Sequence, residues 1–235
     1  MVSIEGVEYA YQGHDINSFF NDYDGKTPDR ALEIINQRNG LVLLNHPGRY
    51  TFPLQWYVDH LQNHPEIIGI EVYNCGDRYP GDRIKWDSLL VQTMPSRPVW
   101  GFSNDDYHSM KDFGRNRNIF LLPELSPASI YTAIQKGHFY YVYAPEAYKG
   151  PEPPVITAIR SDNKSGTITV EANNADSITW IADGQPVHTG NRFSTSMLSG
   201  NERYVRAELR GKRNTVTGTQ PFALKWHRKA SSNHQ

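Results

Sequence analysis

Three prolines within four positions, Pro151-Glu152-Pro153-Pro154, constrain this chain more than any other stretch. A proline locks φ, lacks an N–H and cannot join the interior of a sheet. A stiff linker is expected there, and the hydrophobic patterning changes across it.

Before the prolines the pattern alternates between helix and strand. Thr27-Pro28 supplies an N-cap and a first-turn proline, and Ala31, Leu32, Ile34 and Ile35 form a buried stripe. Gly40 ends that helix before the apolar run Leu41–Leu44. The unit recurs as residues 54–63 before 69–73, as 82–94 before 99–102, and as 126–136, closed by Gly137, before 139–143. Strands separated by helices of about ten residues predict parallel pairing with right-handed crossovers. The expected class for residues 1–150 is therefore α/β, as a small (βα) barrel or an open parallel sheet, with polar strand ends favouring the barrel.

After the prolines the period falls to two, over residues 167–171, 177–181 and 204–209, and Asp183-Gly184 is a hairpin turn signal. Residues 151–225 are expected to form a small all-β sandwich of immunoglobulin-like type, with Trp180 in its core. Residues 226–235 read as a polar, basic, frayed tail whose histidines, His227 and His234, are solvated.

At 235 residues the chain can hold two modest domains and bury a real core. Its 38% hydrophobic and 21% charged residues are those of a globular protein. A net charge of −1 argues against nonspecific nucleic-acid binding, which rests on many Lys and Arg neutralising phosphates. The single cysteine, Cys75, excludes an internal disulfide and reads as a small residue in a strand-end loop. No apolar run approaches the roughly eighteen residues a membrane span needs, and no basic-then-apolar signal opens the chain. A soluble chain of unassigned compartment is expected.

The chemistry-bearing residues sit at the ends of apolar runs. Asp106 and His108 follow residues 99–102, and a two-residue spacing in an extended segment points a carboxylate and an imidazole to the same side. Asn45-His46-Pro47 follows Leu41–Leu44, and Glu8 with His14 lies near the start. All three segments place polar tips on apolar strands, where α/β barrels gather their chemistry. His60 and His64 are four apart on a helix but lack the glutamate of a His-Glu-x-x-His protease, and read as surface residues. His138 suits a helix C-terminus. Arg49, Arg78, Arg115 and Arg117 lie in strand-end loops, and Arg49, three residues after His46, is the best placed to meet an anionic substrate.

Together, residues 4–8 with Gly13-His14, then Asn45-His46-Pro47, then residues 103–108, resemble in order and spacing the later motifs of the PHP (polymerase and histidinol phosphatase) superfamily of metal-dependent phosphoesterases. Residues 129–143 resemble the ending of such domains, particularly in the branch with carbamate-hydrolysing relatives. The resemblance covers about residues 1–145. It implies that Glu8 bridges metals and that His14, His46, Asp106 and His108 complete the metal ligands. Nitrogen and oxygen donors of this kind suit Zn, Mn or Fe. Glu8 and His46 would be catalytic, Arg49 would bind a phosphoester, and an activated water would attack phosphorus. The family's opening His-x-His strand has no counterpart before Glu8. The resemblance therefore implies an incomplete barrel, completed by a second chain or an N-terminal fragment. The alternative is a catalytically inactive structural or interaction module.

Overall fold

Gln12 and Gly13 both take positive φ, 49° and 81°, the backbone twist of a two-residue hairpin turn. They join β1 (Gly6–Tyr11) to β2 (His14–Phe19) in antiparallel register, with Tyr11 opposite His14. The computed structural model describes residues 1–226; most of the polar tail, with His227 and His234, lies outside the described residues.

A 3₁₀ turn at Pro28–Arg30, not a Thr27 side-chain cap, leads into α1 (Ala31–Gln37). Then follow β3 (Leu41–Leu44), α2 (Leu54–Asn63), β4 (Ile67–Asn74), α3 (Gly81–Thr93) and β5 (Trp100–Asn104). These strands form one sheet in the order β1-β2-β3-β4-β5. Only β3–β4 and β4–β5 are parallel; β2 meets β3 antiparallel.

The chain continues as β6 (Asn116–Phe120), α4 (Pro127–Lys136) and β7 (Phe139–Tyr143). Ser126 caps α4 by accepting the Ser129 N–H, and Gly137 ends it at φ 67°. β6 and β7 nevertheless pair antiparallel, and the Leu121 N–H to His138 carbonyl bond extends their ladder. α4 is thus inserted into a hairpin, with Ile130 and Ile134 packed on a cluster that includes Phe102 and Phe139.

Beyond the prolines come β8 (Val155–Asp162), β9 (Thr167–Asn173), β10 (Ser177–Ala182), β11 (Gln185–Thr189), β12 (Arg192–Ser194), β13 (Tyr204–Arg210), β14 (Val216–Thr219) and β15 (Phe222–Ala223). Asp183 and Gly184 turn β10 into β11 at φ 46° and 78°. One sheet runs β11-β10-β13-β14-β7-β6, and a three-stranded sheet, β12-β9-β8, stands apart from it. Trp180 is fully buried, stacked on Phe193 at 5.2 Å, and donates from Nε1 to the Gly190 carbonyl.

The expected α/β class is overturned. The fold is 36% strand against 24% helix, with fifteen strands in three sheets, four α-helices and no closed barrel among the described residues. The helix–strand alternation was read correctly from about residue 31 to residue 104, but two connections defeat it. A tight hairpin makes β1–β2 antiparallel, and β6–α4–β7 returns on itself instead of crossing over.

Side-chain contacts bind the two larger sheets, among them those of Asn118 and Asp87. β5 has no strand on its far side, and Asn118 of β6 fills the gap: its amide accepts the Ser103 N–H and donates to the Ser103 carbonyl, both at 3.0 Å. On α3, Asp87 accepts from Tyr204 Oη at 2.6 Å and from Arg206 at 2.9 and 2.7 Å. No helix among the described residues is long and apolar enough to cross a membrane.

Candidate metal centre

The three neighbouring parallel strands β3, β4 and β5 each end in a left-handed, non-glycine residue: His46 at φ 28°, Cys75 at φ 45° and Asp106 at φ 48°. Such conformations cost on the order of 1–3 kcal/mol each and cluster where function demands them. They mark the carboxyl ends of these strands as the place to look for chemistry.

His46 is buried there, with its N–H donated to Glu71 Oε2 at 2.7 Å and its Nδ1 without a partner. Its Nε2 lies 3.7 Å from Asp15 Oδ2, and Asp15 also receives Arg49 at 2.9 Å. Burial holds the His46 imidazole below its ordinary value, against the pull of Asp15. On β1, Glu8 accepts from Asn45 Nδ2 at 2.9 Å. Burial raises the Glu8 carboxyl, the Asn45 hydrogen bond opposes the rise, and the like charges of Asp106 and Asp15 add to it. Glu8, Asp15, His46 and Asp106 therefore share one electrostatic field.

Beneath them, Glu71 is buried in the middle of β4 and collects donors from His46, Asn74 and Asn104, at 2.7, 3.0 and 2.7 Å. Burial pushes its carboxyl up to about 8 despite these bonds.

Two of the sequence-derived ligands have their ring nitrogens turned to other partners or to solvent. His14 points to the opposite face of β2 from Asp15, among Tyr50, Phe52, Trp56 and Tyr57. Its Nδ1 lies 2.8 Å from the Asp15 carbonyl and its Nε2 3.0 Å from Tyr57 Oη. A carbonyl only accepts, so Nδ1 carries the proton and Nε2 takes the Tyr57 hydroxyl proton. Both nitrogens are used. Burial holds this imidazole down at about 4, which keeps it neutral. His108 bonds back to the Asp106 carbonyl at 2.8 Å, and its side chain is 78% exposed. Backbone bonding and the Asp106 charge raise its ring's proton affinity.

Of the loop arginines, Arg78 stacks on Tyr79 and Arg117 on Tyr148, while Arg49 alone bonds a carboxylate of the cluster among the bonds described. His60 bonds the Trp56 carbonyl and His64 bonds Glu66.

Sequence reasoning missed Asp15 and Glu71. Asp15 adjoins the histidine that was chosen, and period-two alternation puts the two on opposite faces. Glu71 had a readable signal, a lone carboxylate inside an otherwise apolar strand.

The donor set of three carboxylates and one imidazole with an unpartnered, buried ring nitrogen fits a hard or borderline divalent ion in its chemistry. As they stand, no three His, Cys, Asp or Glu side chains among the described residues converge on one point.

No family model matches the chain, and no curated protein matches it in sequence. Among solved structures it is similar to a two-domain protein from Bacteroides vulgatus containing a predicted PHP-like metal-dependent phosphoesterase. The match has 18% identity and a TM-score of 0.48, and covers 94% of this chain and 67% of that one.

Proposed function

We propose that the strand-end cluster is the centre of a PHP-like metal-dependent phosphoesterase. The observation that carries this reading is the buried His46, whose Nδ1 has no partner and whose Nε2 lies 3.7 Å from Asp15, with Glu8 bonded to the adjacent Asn45. Glu8, Asp15, His46 and Asp106 would hold the ion, with His108 able to swing in from solvent. Zn, Mn and Fe all accept such nitrogen and oxygen donors. A divalent ion there would supply Lewis acidity and lower the pKa of a water.

The chain's own groups have separable tasks. Arg49 is half exposed and spends one nitrogen on Asp15, so its remaining donors are free to orient a phosphoester oxygen. Glu8, with its raised proton affinity, is suited to accept a proton from the attacking water. Residues 1–150 would carry the catalytic groups, and residues 151–225 would supply β strands that support them, including β14 beside β7.

A second reading rests on β1, which ends its sheet with no neighbouring strand beyond it. A strand from a second chain could pair there and bring ligands beside Glu8. A catalytically inactive interaction module is the remaining outcome.

Metal analysis of the purified chain under metal-replete conditions, with a screen of phosphomonoesters and phosphodiesters, separates these readings. Bound metal with hydrolysis supports the enzyme. Activity only on adding a second chain supports the shared site. A chain that binds no divalent ion in either state sinks the hydrolase.

A further inference from the structure

His46 is held left-handed by a network that does not touch its ring. We infer that Lys85 and Asp82, both on α3, are positioning residues that fix the 46–50 loop and thereby aim the His46 imidazole; the functional consequence rests on the metal-centre reading.

Four main-chain groups of this loop are gripped by side chains. Glu71 takes the His46 N–H. Lys85 Nζ donates to the Pro47 carbonyl at 2.8 Å and the Tyr50 carbonyl at 3.2 Å, and its third proton goes to Tyr57 Oη at 3.3 Å. Asp82 Oδ1 accepts the Gly48 N–H at 2.6 Å. An ammonium has three donors, and all are used. The His14–Tyr57 bond completes the arrangement, because the Tyr57 proton is committed to His14 and its oxygen is left to receive Lys85.

The approach of α3 is also close enough to dictate residue type. A Cβ at Gly48 would lie 2.8 Å from both the Asp82 nitrogen and its Oδ1, so glycine is required for the contact. At its middle, α3 is anchored by the Asp87 contacts to Tyr204 and Arg206 on β13. A left-handed, side-chain-bearing residue persists only when its surroundings over-determine it, and these bonds fix the backbone of His46 and of the residues that follow it.

The test uses the full chain with Lys85→Met, which keeps the stem and removes the donors, and Lys85→Arg, which keeps the charge but not the compact three-way geometry. Asp82→Ala serves as a second variant should Lys85→Met fold poorly. Hydrogen exchange at the Gly48 and Arg49 amides and calorimetric affinity for Mn²⁺ and Zn²⁺ are measured together. Lys85→Met should speed exchange at Gly48 at least tenfold, although its own bonds are to other residues of the loop, and weaken metal affinity 10- to 100-fold. Unchanged exchange overturns the clamp. Faster exchange with unchanged affinity overturns the positioning role. If the unsubstituted protein binds neither ion, the metal-centre reading fails separately, and exchange at Gly48 still decides the clamp.

Discussion

The side-chain amide of Gln220 pairs with Gly101 as a neighbouring strand would, accepting its N–H and donating to its carbonyl, both at 2.8 Å. Asn118 does the same for Ser103 two residues on, so two amides replace the strand that β5 lacks. Gly101 suits this position because a Cβ there would meet Trp86 at 2.8 Å.

Replacing Gln220 with Met keeps most of the volume and removes both bonds. The Gly101 N–H and carbonyl are then left buried without partners, and the variant should lose about 1–3 kcal/mol of stability. Urea unfolding measures this, and a loss below a few tenths would show that water reaches the β5 edge.

Arg206 is 3% exposed and pairs with Asp87 through two bonds. Asp87→Ala should cost about 3–5 kcal/mol, because it strands a buried guanidinium. The double variant Asp87→Leu with Arg206→Met should recover much of that loss. Thermal unfolding of the three proteins reads the coupling.

His46 and His14 should respond differently to substitution. His46→Ala should abolish most metal binding and hydrolysis with little change in the metal-free melting temperature. His14→Ala should instead lower that temperature, since it empties a buried aromatic box, at a cost of about 2–4 kcal/mol by analogy with other large-to-small changes. Calorimetry with Mn²⁺, alongside scanning of the chelated protein, distinguishes them. Equal loss of metal affinity in both would return His14 to the ligand set.

The pH dependence of metal-free stability separates Glu71 from His14. Glu71 has its carboxyl raised from 4.5 to about 8 by burial, so its contribution is full below 4.5 and lost as pH rises through 8. His14 is lowered from 6.5 to about 4, so its contribution is present above 6.5 and lost as pH falls through 4. The stability of the unsubstituted protein minus that of Glu71→Gln should therefore fall with pH between 4.5 and 8, at up to about 1.4 kcal/mol per unit. The corresponding difference for His14→Leu should rise between 4 and 6.5. Chelator-treated protein unfolded in urea at stepped pH checks both signs.

Helices were the most legible part of the chain. The α2 limits follow from its apolar spacing, and α4 is bracketed by Ser126 and Gly137, whose capping roles are local chemistry. Strand pairing was less legible, because direction is settled by connections and not by the strands' own residues. β6 went unread for a different reason. Its sequence, Asn-Arg-Asn-Ile-Phe, carries amides that bond the neighbouring strand where a sheet would ordinarily show apolar alternation. At the site, the strand-end placement of His46 and Asp106 was visible. That Asp15, next to His14, would face His46 was not, because one residue of register moves a side chain to the other face.

β7, Phe-Tyr-Tyr-Val-Tyr, pairs on one side with β6 and on the other with β14, where Tyr141 stands opposite Gly218. During synthesis the second partner emerges some seventy residues after β7 itself, as the interval from Tyr143 to Val216 dictates. Until then a nascent chain displays an aromatic strand with an unsatisfied edge, a template for pairing with other chains. The demand of this topology on the cell is therefore one of timing: the ribosome must deliver β14 before a stranger finds β7.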